Sequence, residues 1–301
     1  MSSSIVPVLI NASAGNHRAA DRARTLTALF LAAGIEVDVR FAESGADIDT
    51  LVREAVNERP RMLIAAGGDG TISTAAGALA GTEIVLGVLP FGTLNHFAKD
   101  LGIPLQLEES VQNIVDGNVI AVDVGEVNGR VFINNSSLGM YPDIVRDRER
   151  QEARLGRGKW RSFAWASLSV LRRYPFLTVR IKVGSEKRVY VTPIVFVGNN
   201  EYQMEGFRIG KRSSLEQGSL SVYIVKKHGR AALVRLSIGA LFGRLKQARD
   251  FEALTADDFV IETRRSHVLV AADGEVHRMS SPLHFRSRPR SLRVIVPRVV
   301  G

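Results

Sequence analysis

A parallel α/β domain followed by a mainly antiparallel β domain is the fold class that this sequence predicts, and three observations carry it. Apolar runs of strand length alternate with helical periodicity as far as about residue 125. Beyond that point, strand-like runs follow one another with short Gly-containing turns. The chain has 301 residues, twice the roughly 150 expected of one domain.

The elements follow in order. Ile5–Ile10 reads as a buried strand ending at Asn11, with a small-residue turn over Ala12–Asn16. A helix is predicted from His17, with Leu26, Leu29, Phe30 and Ala33 at i, i+3, i+4 and i+7, and Gly34 stops it. Ile35–Phe41 is the next strand and Ile48–Asn57 the next helix, ending before Pro60. Arg61–Ala66 is an apolar strand, Thr71–Leu79 a helix and Ile84–Leu89 another strand. Strands alternating with helices imply βαβ units, and helices on both faces explain why these strands are apolar throughout. After residue 125, strands are predicted over Arg130–Asn135, Thr178–Val183, Arg188–Gly198, Ser219–Val225, Phe259–Glu262, His267–Ala272 and Leu292–Val296. Turns fall at Val183–Ser185 and Asp273–Gly274, and two helical stretches, Lys159–Tyr174 and Arg230–Arg249, interrupt the series. No internal repeat is visible.

Composition excludes several classes. Hydrophobic residues make up 45% and charged residues 24%, which argues against disorder. The absence of cysteine removes disulfides, thiolate metal sites and cysteine nucleophiles. No apolar run approaches the ~18–20 residues that span a bilayer, and the N-terminus lacks the shape of a secretory signal. The expectation is a soluble, cytoplasmic chain. The six histidines, at positions 17, 96, 228, 267, 277 and 284, show no metal-ligand spacing and read as structural or exposed.

Charge is distributed unevenly. Up to Gly125 there are 8 Lys/Arg against 15 Asp/Glu, and afterwards 32 against 16. Such asymmetry supports a boundary near residue 125 and points to a polyanion or an anionic membrane surface. Part of the excess is concentrated in 144–174, where Arg146, Arg148, Arg150, Arg154, Arg157, Lys159, Arg161, Arg172 and Arg173 outnumber Asp147, Glu149 and Glu152.

The chemistry begins at the end of the third strand. Gly67-Gly68-Asp69-Gly70-Thr71 lies between an apolar strand and a helix. Glycines there let backbone approach a ligand closely, and a helix N-terminus presents amides to phosphate oxygens. Asp69 is placed to organise Mg²⁺, a hydroxyl or a loop rather than to attract phosphate. The string matches neither the G-x-G-x-x-G nor the G-x-x-x-x-G-K-[ST] spacing. Pro90-Phe91-Gly92-Thr93-Leu94-Asn95 repeats the arrangement one strand later, offering the Thr93 hydroxyl and the Asn95 amide. Each string alone is also compatible with a capped turn. Side by side at strand C-termini, they favour a nucleotide cleft.

With GGDGT at Gly67–Thr71 and PFGTLN at Pro90–Asn95, the sequence resembles the diacylglycerol-kinase-type lipid kinases, which share their nucleotide-binding architecture with NAD kinases. The resemblance continues through FINNSSLG at Phe132–Gly139, LEQGSL at Leu215–Leu220 and DGE at Asp273–Glu275, in the same order and over nearly the whole chain. It implies a Rossmann-like nucleotide-binding domain over 1–125, a β-sandwich-like lipid-substrate domain over 126–289, a cleft between them and a last strand, about 290–301, returning to the first domain. It implies ATP and Mg²⁺ as cofactors. Asn11 and Gly15 would belong to the first nucleotide loop, Gly67, Gly68, Asp69, Gly70 and Thr71 would hold the phosphates, and Thr93 and Asn95 would contact the nucleotide. Glu275 matches the proton acceptor for a lipid hydroxyl, with Asp69 organising Mg²⁺ and the phosphate site. Without the resemblance, Asp273-Gly274 is a hairpin signal.

The chain departs from the family pattern in places. Asn11-Ala12 stands where Asn-Pro is frequent, and Thr74 where a Glu is common. An Asp-Asp-Gly segment that helps bind a structural Mg²⁺ is Glu216-Gln217-Gly218 here, so that site would use the Ser214 carbonyl, Gln217 and the Ser219 carbonyl, with a neutral amide replacing a carboxylate. The segment 159–174 interleaves Trp160, Phe163, Trp165, Leu168 and Leu171 with cations, which suits an interfacial helix meeting anionic phospholipid as well as a core-facing helix. No nucleic-acid motif accompanies the charge. The expectation is an ATP-dependent lipid kinase, acting on diacylglycerol, a related glycerolipid or a sphingoid base at the inner face of a membrane. NAD kinase is the alternative enzyme, although the Asn-Glu pair expected after its glycine loop is missing. A non-catalytic nucleotide-binding membrane sensor is the alternative outside enzymes.

Overall fold

The computed structural model describes residues 5–11, 16–139, 176–205, 208–212, 214–225 and 251–298. The chain divides into two compact units, Met1–Val124 with Pro289–Gly301, and Gly125–Arg288.

The first unit is built on parallel pairing. Its elements are β1 (Val6–Asn11), α1 (Asn16–Ala32), β2 (Val37–Ala42), α2 (Gly45–Asn57), β3 (Met62–Gly67), α3 (Asp69–Leu79), β4 (Val85–Pro90), α4 (His96–Asp100) and α5 (Leu107–Asp116). The sheet runs β2-β1-β3-β4, every pair parallel, and the final strand adds to β4 through Val294 opposite Leu86. Val8, Ile10, Ile64, Ala66 and Leu89 of the strands pack with Leu26 and Phe30 of α1, Val111 and Ile114 of α5 and Ile295. Burial on both faces is what keeps these strands apolar throughout. Helix α2 begins three residues before the predicted Ile48. The cause is a capping box, in which Ser44 accepts from the Asp47 amide while the Asp47 carboxylate accepts from the Ser44 amide. Helix α5 was not expected from the sequence. It shows only Leu107, Val111 and Ile114 at i, i+4 and i+7, and Glu108 and Glu109 complement its N-terminal dipole.

The second unit is a sandwich of antiparallel sheets. The strands are β5 (Asn118–Val127, shared with the first unit), β6 (Arg130–Phe132), β7 (Asn135–Gly139), β8 (Leu177–Val183), β9 (Glu186–Thr192), β10 (Ile194–Asn199), β11 (Tyr202–Glu205), β12 (Arg208–Arg212), β13 (Leu220–Val225), β14 (Phe251–Ala256), β15 (Asp258–Thr263), β16 (His267–Ala272), β17 (Glu275–Ser280) and β18 (Leu283–Val296, also shared). One sheet runs β9-β8-β15-β18 and the other β14-β13-β10-β7-β16-β17, with β11 and β12 forming a separate hairpin. The core between them joins Val179, Ile181, Phe259, Ile261, Leu283 and Phe285 to Leu138, Val195, Val197, Val222, Ile224 and Val270. Phe259 and Phe285 stack with ring centroids 5.1 Å apart.

Two predicted strands are each divided. Arg130–Asn135 separates into β6 and β7, which lie in different sheets, because the Ile133 and Asn134 backbone bonds to side chains instead of a ladder. Arg188–Gly198 breaks at Pro193, whose missing N–H cannot continue pairing, and β9 and β10 again enter different sheets. The predicted helices Lys159–Tyr174 and Arg230–Arg249 lie outside the described residues.

The stacked phenylalanines give a test of the sandwich. Phe285→Ala is expected to destabilise the protein by about 3–5 kcal/mol in urea unfolding. Val189→Ala, on the exposed edge strand β9, is expected to shift it by less than about 0.5 kcal/mol.

Candidate functional site

The loops following β3 and β4, with Asn11 at the end of β1 beside them, lie at the C-terminal ends of adjacent parallel strands, where open α/β sheets bind ligands. Their mutual fit depends on absent side chains. A Cβ on Gly92 would stand 2.6 Å from the Gly68 Cα and 2.7 Å from Asn95 Oδ1, so backbone meets backbone across the two loops. A Cβ on Gly67 would stand 2.5 Å from Thr71 Oγ1. The Phe91 amide donates to the Gly67 carbonyl at 2.9 Å, joining the loops at their bases. Asn11, at the end of β1, donates from Nδ2 to Thr71 Oγ1 at 3.2 Å.

Asp69 ties the loops together higher up. Its Oδ1 accepts the His96 amide at 2.8 Å, so the first residue of α3 holds the start of α4. Asn95, buried and left-handed at φ 50°, donates its own amide to the Gly92 carbonyl at 2.9 Å. Gly68 is the N-cap of α3 and supplies no side-chain acceptor, which leaves the first-turn amides without a capping side chain. That is the arrangement that receives an anionic oxygen. Gly70 and Thr93 are exposed beside it, and Thr74 turns its hydroxyl back to the Gly70 carbonyl. Arg22 of α1 lies over the Phe91 ring, 5.0 Å from its centroid. Gly15 lies outside the described residues.

The second unit carries the other group of residues. Asp273 and Gly274 turn the β16–β17 hairpin, both with positive φ (47° and 89°), and Ala272 pairs with Glu275. The Asp273 carboxylate accepts the amides of Ile133 at 2.8 Å, Asn134 at 2.8 Å and Asn135 at 3.0 Å. Its own amide donates to the Asn135 carbonyl at 2.8 Å. Behind this corner, the Ile133 carbonyl accepts from Asn199 Nδ2 and Arg212 Nη1. The Asn134 carbonyl accepts from the Asn199 amide and the Tyr202 hydroxyl, both at 2.9 Å. Buried Arg212 also reaches Asn134 Oδ1 and lies over the Tyr202 ring. Asn199, Tyr202 and Arg212 were missed in the sequence. A buried arginine on a hairpin strand offers no spacing signal.

Glu275 stands just beyond the turn with its side chain about half exposed (49%). Its Oε2 lies 3.5 Å from Arg130 Nη1 and 3.5 Å from His277 Nε2. His277 first, and the Arg130 charge after it, hold the carboxyl below the ordinary glutamate range against partial burial. The group is therefore ionised throughout the neutral range and protonates only in more acidic solution than an ordinary glutamate.

Ser214, Gln217 and Ser219 lie between β12 and β13. Gln217 Oε1 accepts the Glu201 amide at 3.2 Å, and its own amide donates to Asn200 Oδ1 at 3.2 Å. The Ser219 carbonyl accepts from the Asn200 amide, and Ser214 Oγ from the Glu216 amide. These three residues present neutral oxygens, with the Gln217 amide oxygen and the Ser219 carbonyl already engaged by amides, and Mg²⁺ favours carboxylates. The donor set does not fit a structural Mg²⁺. Among the described residues, no group of three or more His, Asp or Glu side chains is assembled to hold a metal.

Three outcomes follow from these contacts. Asp273→Ala strands the amides of the 133–135 corner and is expected to lower stability by roughly 3 kcal/mol or more in urea unfolding. Gly92→Ala forces the two glycine loops apart, at a cost of about 1–3 kcal/mol in the same measurement. Without nucleotide, the melting temperature is expected to be the same in EDTA and in Mg²⁺, and Gln217→Asp to make it Mg²⁺-dependent.

Comparison with known proteins agrees with this architecture. Residues 6–127 match the diacylglycerol kinase catalytic domain, and residues 142–296 match the YegS C-terminal NAD kinase beta sandwich-like domain. A diacylglycerol kinase of Bacillus subtilis is 28% identical over 283 residues, covering 89% of this chain and 88% of its own. A probable lipid kinase YegS-like of Pseudomonas syringae pv. tomato is 42% identical over 114 residues, 37% of each chain. The crystal structure of a diacylglycerol kinase from Bacillus anthracis superposes with a TM-score of 0.70 at 20% identity, covering 100% of both chains, which establishes the shared fold. With one model matched over the first unit and the other over more than half of the chain, the protein belongs to the diacylglycerol and YegS-type lipid kinase family.

Proposed function

We propose that the chain transfers the γ-phosphate of ATP to the hydroxyl of a lipid, diacylglycerol or a related glycerolipid or sphingoid base. The observation that carries this reading is the uncapped N-terminus of α3 beside two glycine loops in backbone contact. Amides at such a point bind phosphate oxygens without a competing side chain. Gly67, Gly68, Gly70 and Thr71 would line the phosphates, with Asn11, Thr93 and Asn95 holding the nucleotide and the loops around it. Asp69, which fixes the start of α4, would keep that cradle shaped while facing the metal that accompanies the triphosphate. Mg²⁺ bound to ATP supplies charge neutralisation for the leaving diphosphate.

Glu275 is the acceptor of the hydroxyl proton in this reading. It is held ionised by His277 and Arg130, and the three-amide grip on Asp273 fixes the turn that presents it. The hydroxyl oxygen attacks the γ-phosphorus in line, the bond to the bridging oxygen breaks, and ADP leaves with that electron pair. The excess of 32 basic over 16 acidic residues after Gly125 suits work on a lipid at an anionic membrane surface. Among the described residues, no helix is long and apolar enough to cross a membrane.

The test is transfer of label from ATP with Mg²⁺ into a panel of lipids in mixed micelles, with NAD alongside. Label entering one lipid is expected, and Glu275→Gln is expected to lower kcat by about 10²–10⁴-fold with ATP binding unchanged. Label entering NAD would replace this reading with NAD kinase. ATP binding without transfer to any acceptor would replace it with a nucleotide sensor.

A further inference from the structure

The imidazole of His277 lies in an unusual place for a titratable group. In the register of the six-stranded sheet, His277 pairs with Val270, and Val270 pairs with Leu138. That row faces the core, because Val270 and Leu138 both belong to it. His277 Nε2 is buried and makes no hydrogen bond. A polar atom stranded in this way is costly unless a partner arrives. Among the described residues, the acidic group in contact with it is Glu275, two residues along the same strand and on the same face, with Oε2 at 3.5 Å.

We propose that His277 is a positioning residue that takes over the proton collected by Glu275, an inference that rests on the lipid-kinase reading. A carboxylate held below its ordinary range is a poor final home for a proton drawn from an alcohol. The imidazole nitrogen beside it, 3.5 Å away and with no hydrogen bond of its own, can take the proton on. As the lipid O–H bond breaks, its proton bonds to the Glu275 carboxylate while the oxygen electron pair forms the new bond to phosphorus. The carboxyl turns about its Cγ–Cδ bond, its O–H meets Nε2, and the proton moves across. The pair ends as imidazolium beside carboxylate, ready to return the proton to water. Such contacts are commonly long in the free enzyme and shorten in the reacting complex, so 3.5 Å suits a resting relay. The transfer requires the neutral ring with its proton on Nδ1, leaving the Nε2 lone pair free; the form of His277 that holds the Glu275 carboxyl down is the doubly protonated ring at the end of the transfer.

Among the described residues, the charged groups around the pair are few. Arg130, from β6, stands 3.5 Å from the same Oε2 and keeps the carboxylate ionised after the proton has passed. The neighbouring strands β16 and β7 contribute Val270 and Leu138 beside His277 in the register. Arg278, the next residue on β17, alternates to the opposite face and is exposed.

The experiment combines kinetics with a titration that needs no activity. The Glu275 Cδ resonance of the ¹³C-labelled protein is followed against pH in the wild type and in His277→Gln. Removing His277 is expected to move the titration upward, toward the ordinary glutamate range. With the lipid acceptor, His277→Gln is expected to lower kcat tenfold or more at unchanged KM for ATP. The wild-type pH profile should show an imidazole limb as well as a carboxylate limb, and the variant only the second. Should His277→Gln fold poorly, the His277 ring is titrated in Glu275→Gln instead, and a shift from the wild type is expected. Transfer by the wild type with kcat and both limbs unchanged in His277→Gln overturns the relay alone. A Cδ titration that does not move overturns it as well. Coupling in the titration with no lipid phosphorylated by the wild type overturns the lipid-kinase reading beneath it.

Discussion

A single carboxylate organises the second unit. Asp273 accepts the amides of three successive residues, Ile133, Asn134 and Asn135, and so meets the backbone where it leaves one sheet and enters the other. A strand ladder could not supply these bonds, because consecutive amides along a strand point to opposite sides. One anionic side chain at the tip of a hairpin can, and bonds to a charged acceptor are the stronger kind. The residue that grips the corner is also two positions before Glu275. The position of the ionised carboxylate therefore follows from the place where β6 ends and β7 begins. Asn199, Tyr202 and Arg212 secure the other side of the same corner by taking its carbonyls.

The first unit solves a similar problem without charge. In the proposed site, two loops must lie against each other closely enough for their amides and hydroxyls to act on one ligand. Gly68 and Gly92 allow this by having nothing to interpose, and the Phe91–Gly67 and His96–Asp69 bonds hold the approach at two heights. Asp69 illustrates the economy of the design. Its carboxylate satisfies the first amide of α4, so a single side chain of one loop holds the other.

The alternating first half was largely legible in the sequence, because burial on both faces of a parallel sheet forces strands to be apolar and the crossovers to be helical. Each predicted strand and helix there corresponds to an observed one, displaced by one to three residues where a cap such as Ser44 decided the boundary. Helix α5 was hidden by its brevity, and β14 and β17, at the edges of their sheet, by exposed alternate residues that break the apolar run. The sheet changes at Ile133–Asn134 and Pro193 were hidden for a different reason. Both segments keep strand composition through the break, and only the partners show that the chain has changed sheets. The glycine loops and the DGE turn announced themselves as motifs. The partners that define what those motifs do carry no local pattern: Arg130, Asn199 and Arg212 come from elsewhere in the chain, and His277, two residues along β17, shows its role only through the face it shares with Glu275.

A depressed carboxylate at a proposed general base deserves a physical account, since base strength and ionisation pull in opposite directions. Phosphoryl transfer passes through a loose transition state in which the attacking hydroxyl has lost little of its proton. Strength as a base is then of small use at the moment of attack, whereas being ionised and in place is essential. A polyphosphate works against ionisation, because its negative charge raises the pKa of any carboxylate that faces it. In the proposed reaction Arg130 acts in the opposite sense, so Glu275 would absorb such repulsion and still be charged. The proton is accepted late, when the new phosphorus–oxygen bond has made the former hydroxyl acidic. What would matter from then on is where the proton goes, and the buried Nε2 of His277, 3.5 Å from Glu275, is a nitrogen without another hydrogen bond to break.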